Sequence, residues 1–351
     1  MAIAGIAFVT TAAAGFGIFW ALNRQPDAKP VASHTVAQPT ATATPAPTPT
    51  PLPAVYALTG LPATAEAAAQ PVTGVIVENL YPDARPQSGL SSAGLVYEAL
   101  AEGGITRMLA LFQAPYPASI GPVRSLRPYY LDWGLEHNVP VAHAGGSEPA
   151  MAAIKPLGMK DINALAYDGS YFKRIAGRVA PHNLYTTNDL LSQLVAKLGF
   201  AQAPAFKLWE RKADAPSAAP SHTIITIPFS TAAYKARYDY HGDTNSYFRF
   251  EGGAAQTDKN TGKQIEVKNV IVQFHSISYG TQSNGKEDVR YGMTGTGKIL
   301  VFLDGNVITG TWKKASDGAQ TEYVDNAGLP IKFNRGNTWI SAVPADRNVT
   351  Y

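Results

Sequence analysis

Residues 37–54 read AQPTATATPAPTPTPLPA, a tract that no compact fold can absorb. Proline lacks an amide hydrogen and holds φ near −65°, so a run of Pro, Thr and Ala builds neither helix nor sheet ladder and tends to extended polyproline II. Any sizeable core of this 351-residue chain must therefore lie beyond it. From Pro30 to Ala54 such a stalk reaches on the order of 75 Å at about 3.1 Å per residue. That suits a domain held away from a membrane within a cell wall, although an ordinary intracellular spacer has the same composition.

Ahead of the stalk, residues 2–22 (AIAGIAFVTTAAAGFGIFWAL) carry no charge and match one crossing of a ~30 Å hydrocarbon layer at 1.5 Å per residue. Their small residues do not end in an obvious cleavage site, so residues 1–24 read as a retained transmembrane anchor and 25–55 as stalk. The flanking charges argue the other way. No Lys or Arg precedes the segment while Arg24 and Lys29 follow it, which would leave the C-terminal part in the cytoplasm. The stalk favours export, and the expectation is a single-pass membrane protein with its folded domains on the extracytoplasmic side. Cysteine is absent, which excludes disulfides, thiolate catalysis, cysteine metal sites and lipid carried on an N-terminal cysteine. The formal net charge of +3 is slight and no basic stripe is present, so nucleic acid is set aside as a partner.

Past the stalk the pattern changes once. VTGVIVENL (72–80), ITRMLALFQ (105–113) and VPVAH (139–143) read as strands, and LVYEALAE (95–102) is open between strand and short helix. Glu98 and Glu102, four apart, are expected on one face under either period. In GPVRSLRPYY (121–130) a helix is expected to start with Ser125 as cap and Pro128 in the first turn, running to about His137. Gly145 and Gly146 make a turn, and Ser147 is expected to cap a helix toward Ile154. Strand, turn and helix in succession predict an α/β layer whose crevice lies at the strand C-termini. After APAFKLWERKADAPSAAPS (203–221) only short strands between Gly, Asn and Asp turns remain, with LDGNV a hairpin signal. The fold class is α+β: an α/β-type N-terminal domain over 56–205 and a mostly antiparallel β C-terminal domain over 206–351.

ARPQSGLSSAGLVYEALAEGGITRMLALFQ, IGPVRSLRPYY, HAGGSEPA and APHNLYTT together resemble the N-terminal domain of the YerB-like bacterial lipoproteins. LTGLPA and the closing GTWKKASDGAQTEYVDNAGLPIKFNRGNTWISAVP look like the same family's entry and C-terminal domain, so the resemblance covers nearly everything after residue 56. It implies a two-domain protein tethered outside the membrane and brings no agreed catalytic residues. The chain departs from the lipoprotein pattern in lacking the lipid-bearing cysteine, whose place the apolar N-terminus would take.

Arg124 and Arg127 stand three apart with no acid in their stretch, and cations disfavour a helix N-terminus. Either a local carboxylate or an incoming anion must answer them. One reading is a cleft for an anionic cell-wall polymer, bound by Arg107, Arg124 and Arg127 with Asp132, Gly145, Gly146, Ser147 and Asn183, and with tyrosines stacking on sugars. Against it stands a structural network in which Glu98, Glu102 or Asp132 neutralises the arginines. A second reading is hydrolysis or transfer at a glycosidic or phosphodiester bond, with Glu98 or Glu102 as acid or base and His143 or His182 moving protons. No catalytic motif enforces it; GMTGTGKI (292–299) fails phosphate-loop spacing. No metal site or cofactor is called for. A third reading is a scaffold that recruits an envelope protein through Trp312, Lys313 and Trp339, tryptophans that equally suit a core.

Overall fold

The computed structural model describes residues 53–351; the proposed anchor and nearly all of the stalk lie outside them. Among the described residues no helix is long and apolar enough to cross a membrane. The N-terminal half supplies β1 (Val72–Glu78), β2 (Leu95–Leu100), β3 (Thr106–Gln113), α1 (Pro128–Glu136), β4 (Val141–His143), α2 (Glu148–Ala153), β5 (Asp161–Asn163) and α3 (Asn188–Lys197). The C-terminal half supplies β6 (Ile224–Pro228), β7 (Lys235–His241), β8 (Ser246–Glu251), β9 (Asn269–His275), β10 (Gly295–Leu303), β11 (Asn306–Lys314), β12 (Glu322–Asp325) and β13 (Thr338–Pro344).

Ten of these strands form one mixed sheet in the order β12-β11-β10-β9-β13-β2-β3-β1-β4-β5. The junction between the halves is a sheet ladder: β13 runs parallel to β2, with Val96 opposite Trp339 and Ala99 opposite Ala342. Residues 53–351 are accordingly one compact body, and the connection at 203–221 separates two halves of it. β1, β2, β9 and β13 are buried along their whole length. Both faces of the sheet are covered, which is why these strands read as continuous apolar runs instead of alternating ones.

On one face Val75, Val96, Phe112, Val270, Phe302 and Trp339 pack under Leu191 and Leu194 of α3 and under the second sheet, through Ile225, Ile227, Tyr238 and Tyr247. The other face buries Ile76, Tyr97, Leu109, Ile271 and Val301 beneath Tyr129, Tyr130 and Trp133 of α1. Tyr97 stacks on Trp133 with ring centroids 4.7 Å apart. Each such large side chain contributes about 1.5–3 kcal/mol through burial alone.

LVYEALAE resolves as strand as far as Leu100 and then turns at Glu102–Gly104, so Glu98 and Glu102 do not share a face. α1 opens with Pro128, as its fixed φ favours. Ser125 does not cap it; its hydroxyl donates to the Ala144 carbonyl at 3.1 Å and Arg127 occupies the cap position. Ser147 stands at the cap position of α2 without a side-chain cap bond. The LDGNV hairpin joins β10 to β11 with Asp304 and Gly305 at φ of 56° and 76°, the paired left-handed turn that suits strand twist.

Gly310 lies where β11 passes edge strand β12, and a Cβ there would overlap the Val324 carbonyl oxygen. Gly310→Ala is expected to loosen β12, seen as faster hydrogen exchange at the amides of Glu322–Asp325 while those of β1–β3 stay protected. Unchanged exchange in β12 would contradict that placement.

Candidate functional site

The polar residues singled out in the sequence gather mainly where β1, β4 and β5 end, in two clusters and a few isolated positions. Segment 123–126 wedges between β1 and β4: Arg124 donates its amide to the Ile76 carbonyl and accepts from the Ala144 amide, both at 2.9 Å. This delivers the Arg124 side chain to the end of β1, where Glu78 is fully buried. Arg124 Nε lies 2.8 Å from Glu78 Oε1, close enough for an ion pair yet without hydrogen-bond alignment. Glu78 Oε2 meets His182 Nδ1 at 2.9 Å.

The Arg124 side chain is 20 % exposed and that of His182 18 %. Among the described residues neither terminal amine of Arg124 nor Nε2 of His182 has a protein partner. Around them stand Asn183, whose Oδ1 accepts from Arg174 at 3.1 Å, and Arg178, which donates to the Ala84 and Pro86 carbonyls and to Tyr185. Arg174 is offset by Asp168 at 2.7 Å.

The second cluster adjoins the first, because Arg107 is opposite Glu78 in the β1–β3 register. Arg127 is gripped by both oxygens of Glu102 and donates to the Leu126 carbonyl. Burial raises the Glu102 carboxyl, but Arg127 and then Arg107 outweigh that and hold it below its usual range. Arg107 is only 3 % exposed, donates to the Ser125 carbonyl at 3.1 Å, and has a buried Nε with no acceptor. Burial, and next the charge of Arg127, lower its pKa. Arg107, Arg124 and Arg127 thus face two carboxylates, leaving positive charge in excess at the strand ends.

The remaining sequence candidates sit elsewhere or are already engaged. Glu98 is sealed on the opposite face, accepting from Thr106, Arg249 and Trp339. His143 is buried with Nδ1 2.7 Å from the Gly145 carbonyl and Nε2 2.7 Å from Asp161, so neither nitrogen is free. The amide of Gly145 donates to Asn163 and that of Glu148 to Gln282, and the Ser147 hydroxyl is buried without a partner. The turn before α2 is thus partly occupied by the protein itself. Asp132 lies toward Asp317 and Lys314, and burial, then Asp317, pushes its carboxyl up to about 7. Trp312 and Trp339 are buried, donating to the Phe274 carbonyl and to Glu98, which removes both from any recognition surface.

Glu78, Arg174 and Asp168 belong to the cluster without standing out in the sequence. Glu78 ends an apolar strand run and was absorbed into it. The available signal was its position, an acid at a strand C-terminus, where α/β sheets open their crevice.

Comparison with known proteins covers both halves. Residues 58–201 match the family model described as "Protein of unknown function (DUF3048) N-terminal domain", and residues 225–340 match its C-terminal counterpart. The chain is 33% identical over 289 residues to the Bacillus subtilis (strain 168) protein named "Putative lipoprotein YerB", covering 82% of this chain and 85% of that one. The crystal structure of the Bacillus subtilis YerB protein superposes with a TM-score of 0.75 at 31% identity, covering 85% of this chain and 99% of that chain.

Proposed function

The chain belongs to the two-domain DUF3048 family, YerB-like as its motifs implied, and on that premise we propose that it is a membrane-held extracytoplasmic protein binding an anionic envelope polymer at Arg124. A relative named as a lipoprotein supports the location. We assign the tether to the apolar residues 2–22 and the reach to the stalk.

The observation that carries the binding reading is the forked end of Arg124. Its side chain is partly exposed, and among the described residues its terminal amines have no protein acceptor. A guanidinium fork matches phosphate or carboxylate geometry with two parallel bonds, and a partly desolvated site strengthens them. Arg127 contributes charge and not a vacant fork, because Glu102 already fills it.

The test is calorimetric titration of the full chain in detergent with a glycerol-phosphate oligomer and with an uncharged glycan of equal length. The anionic oligomer alone should bind, more weakly as salt rises. Arg124→Ala should lose roughly 10- to 100-fold in affinity, with Arg124→Lys in between. Equal affinity in wild type and Arg124→Ala would sink the reading.

A further inference from the structure

Glu78 and His182 form a pair whose geometry exceeds what binding requires. The buried carboxylate takes the Nδ1 side of the imidazole at 2.9 Å, and Nε2 is left facing outward beside the unpartnered end of Arg124. A carboxylate that fixes one ring nitrogen sets the tautomer and leaves the other nitrogen as a proton acceptor. No such freedom exists at His143, held on both nitrogens, or at Glu98 and Glu102, which are fully engaged.

Resting on the anion-binding reading above, we infer that this site hydrolyses phosphodiesters, with His182 as general base, Glu78 as the positioning residue behind it and Arg124 as the clamp on the non-bridging oxygens. Water attacks phosphorus while its proton passes to His182 Nε2. The bond from phosphorus to one ester oxygen breaks, and the same proton is returned to that leaving oxygen. A diester and water give a monoester and an alcohol, with no oxidant or metal in the balance. Glycoside cleavage needs two available carboxyl groups across the scissile bond, and here the candidate carboxylates are tied to arginines.

The probe is bis(4-nitrophenyl) phosphate, with turnover by the full chain in detergent followed at 4-nitrophenolate absorbance and binding of the same diester measured separately. Wild type should turn over. His182→Gly should lower kcat by about 100-fold or more with KM little changed, and added imidazole should restore part of it. Glu78→Gln should lower kcat while diester binding persists and displace the acid limb of the pH–rate profile, a change that loss of packing would not produce. Diester binding without turnover, or turnover indifferent to His182→Gly, overturns the catalytic assignment and leaves the binding reading standing. Absence of both binding and turnover overturns both.

Discussion

Arg249→Met is expected to cost the fold about 3–5 kcal/mol, as removal of one partner from a buried ion pair does. Arg249 is fully buried on β8. Its Nη2 reaches Glu98 at 2.8 Å and Glu251 at 3.5 Å, its other nitrogens donate to Tyr238 and Gln256, and its guanidinium lies 4.2 Å from the Trp339 ring centroid. Arg85, 3.1 Å from Glu251, is the other cation of the group. Methionine would leave Glu98 with no cation within salt-bridge reach among the described residues. The loss should depend on pH. Burial, then the charge of Glu98, pushes the Glu251 carboxyl up to about 7 from an ordinary 4.5. A carboxyl raised in the fold gives stability that is fully present below 4.5 and fades as pH rises through about 7. Without Arg249, which opposes that rise, protonation becomes easier still. The deficit should therefore be largest near pH 7.5 and shrink toward pH 5 in urea unfolding. A deficit equal at both pH values would show that uncompensated charge is not its source.

That network ties the two halves together. Glu98 belongs to β2 and Arg249 to β8, and Trp339 of β13 donates to the same carboxylate across 241 residues of chain. β1, β3 and α1 were legible because burial on both faces, or a proline at the first turn, leaves a local mark. The pairing of β13 with β2 leaves none. Both strands are apolar throughout, so neither announces which neighbour it takes, and nothing in NTWISAVP distinguishes a partner from the N-terminal half from one nearby. Glu98 and Glu102 were misplaced for a related reason: four-residue spacing predicts a shared face only while one element continues, and a turn begins after Leu100.

The site was legible in kind and not in assignment. An arginine at a helix start forced the choice between an internal carboxylate and an external anion, and the fold supplies a carboxylate to each arginine, fully at Arg127 and only in part at Arg124. Arg127 is answered by Glu102, while Arg124 is answered only at Nε, by a glutamate that the sequence hides inside a strand. His182 gained its meaning from Glu78, 104 residues away, a contact no spacing rule reports.

Adjacent residues on a strand point to opposite faces, so Tyr97 anchors a second buried network where Glu98 anchors the first. Its hydroxyl donates to Glu136 Oε1 at 2.5 Å and lies 2.8 Å from His137 Nε2, and Glu136 Oε2 receives Lys314 at 2.8 Å and Thr321 at 2.7 Å. Burial would raise the Glu136 carboxyl, yet His137 and then Lys314 outweigh it and hold the group at about 2. Lys314→Met is expected to cost about 3–5 kcal/mol, since the carboxylate stays buried with its lysine gone and only His137 left beside it. A carboxyl depressed in the fold gives stability that is present above 4.5 and is lost as pH falls through about 2. Removing Lys314 lifts the folded-state value, so the gap between wild type and variant should be widest above pH 5 and narrow toward pH 3. Adding Glu136→Gln to Lys314→Met withdraws the stranded charge and keeps an oxygen for Tyr97, so the double variant should be more stable than Lys314→Met alone. If the second substitution only destabilises further, lost packing and hydrogen bonds, and not an uncompensated charge, account for the cost.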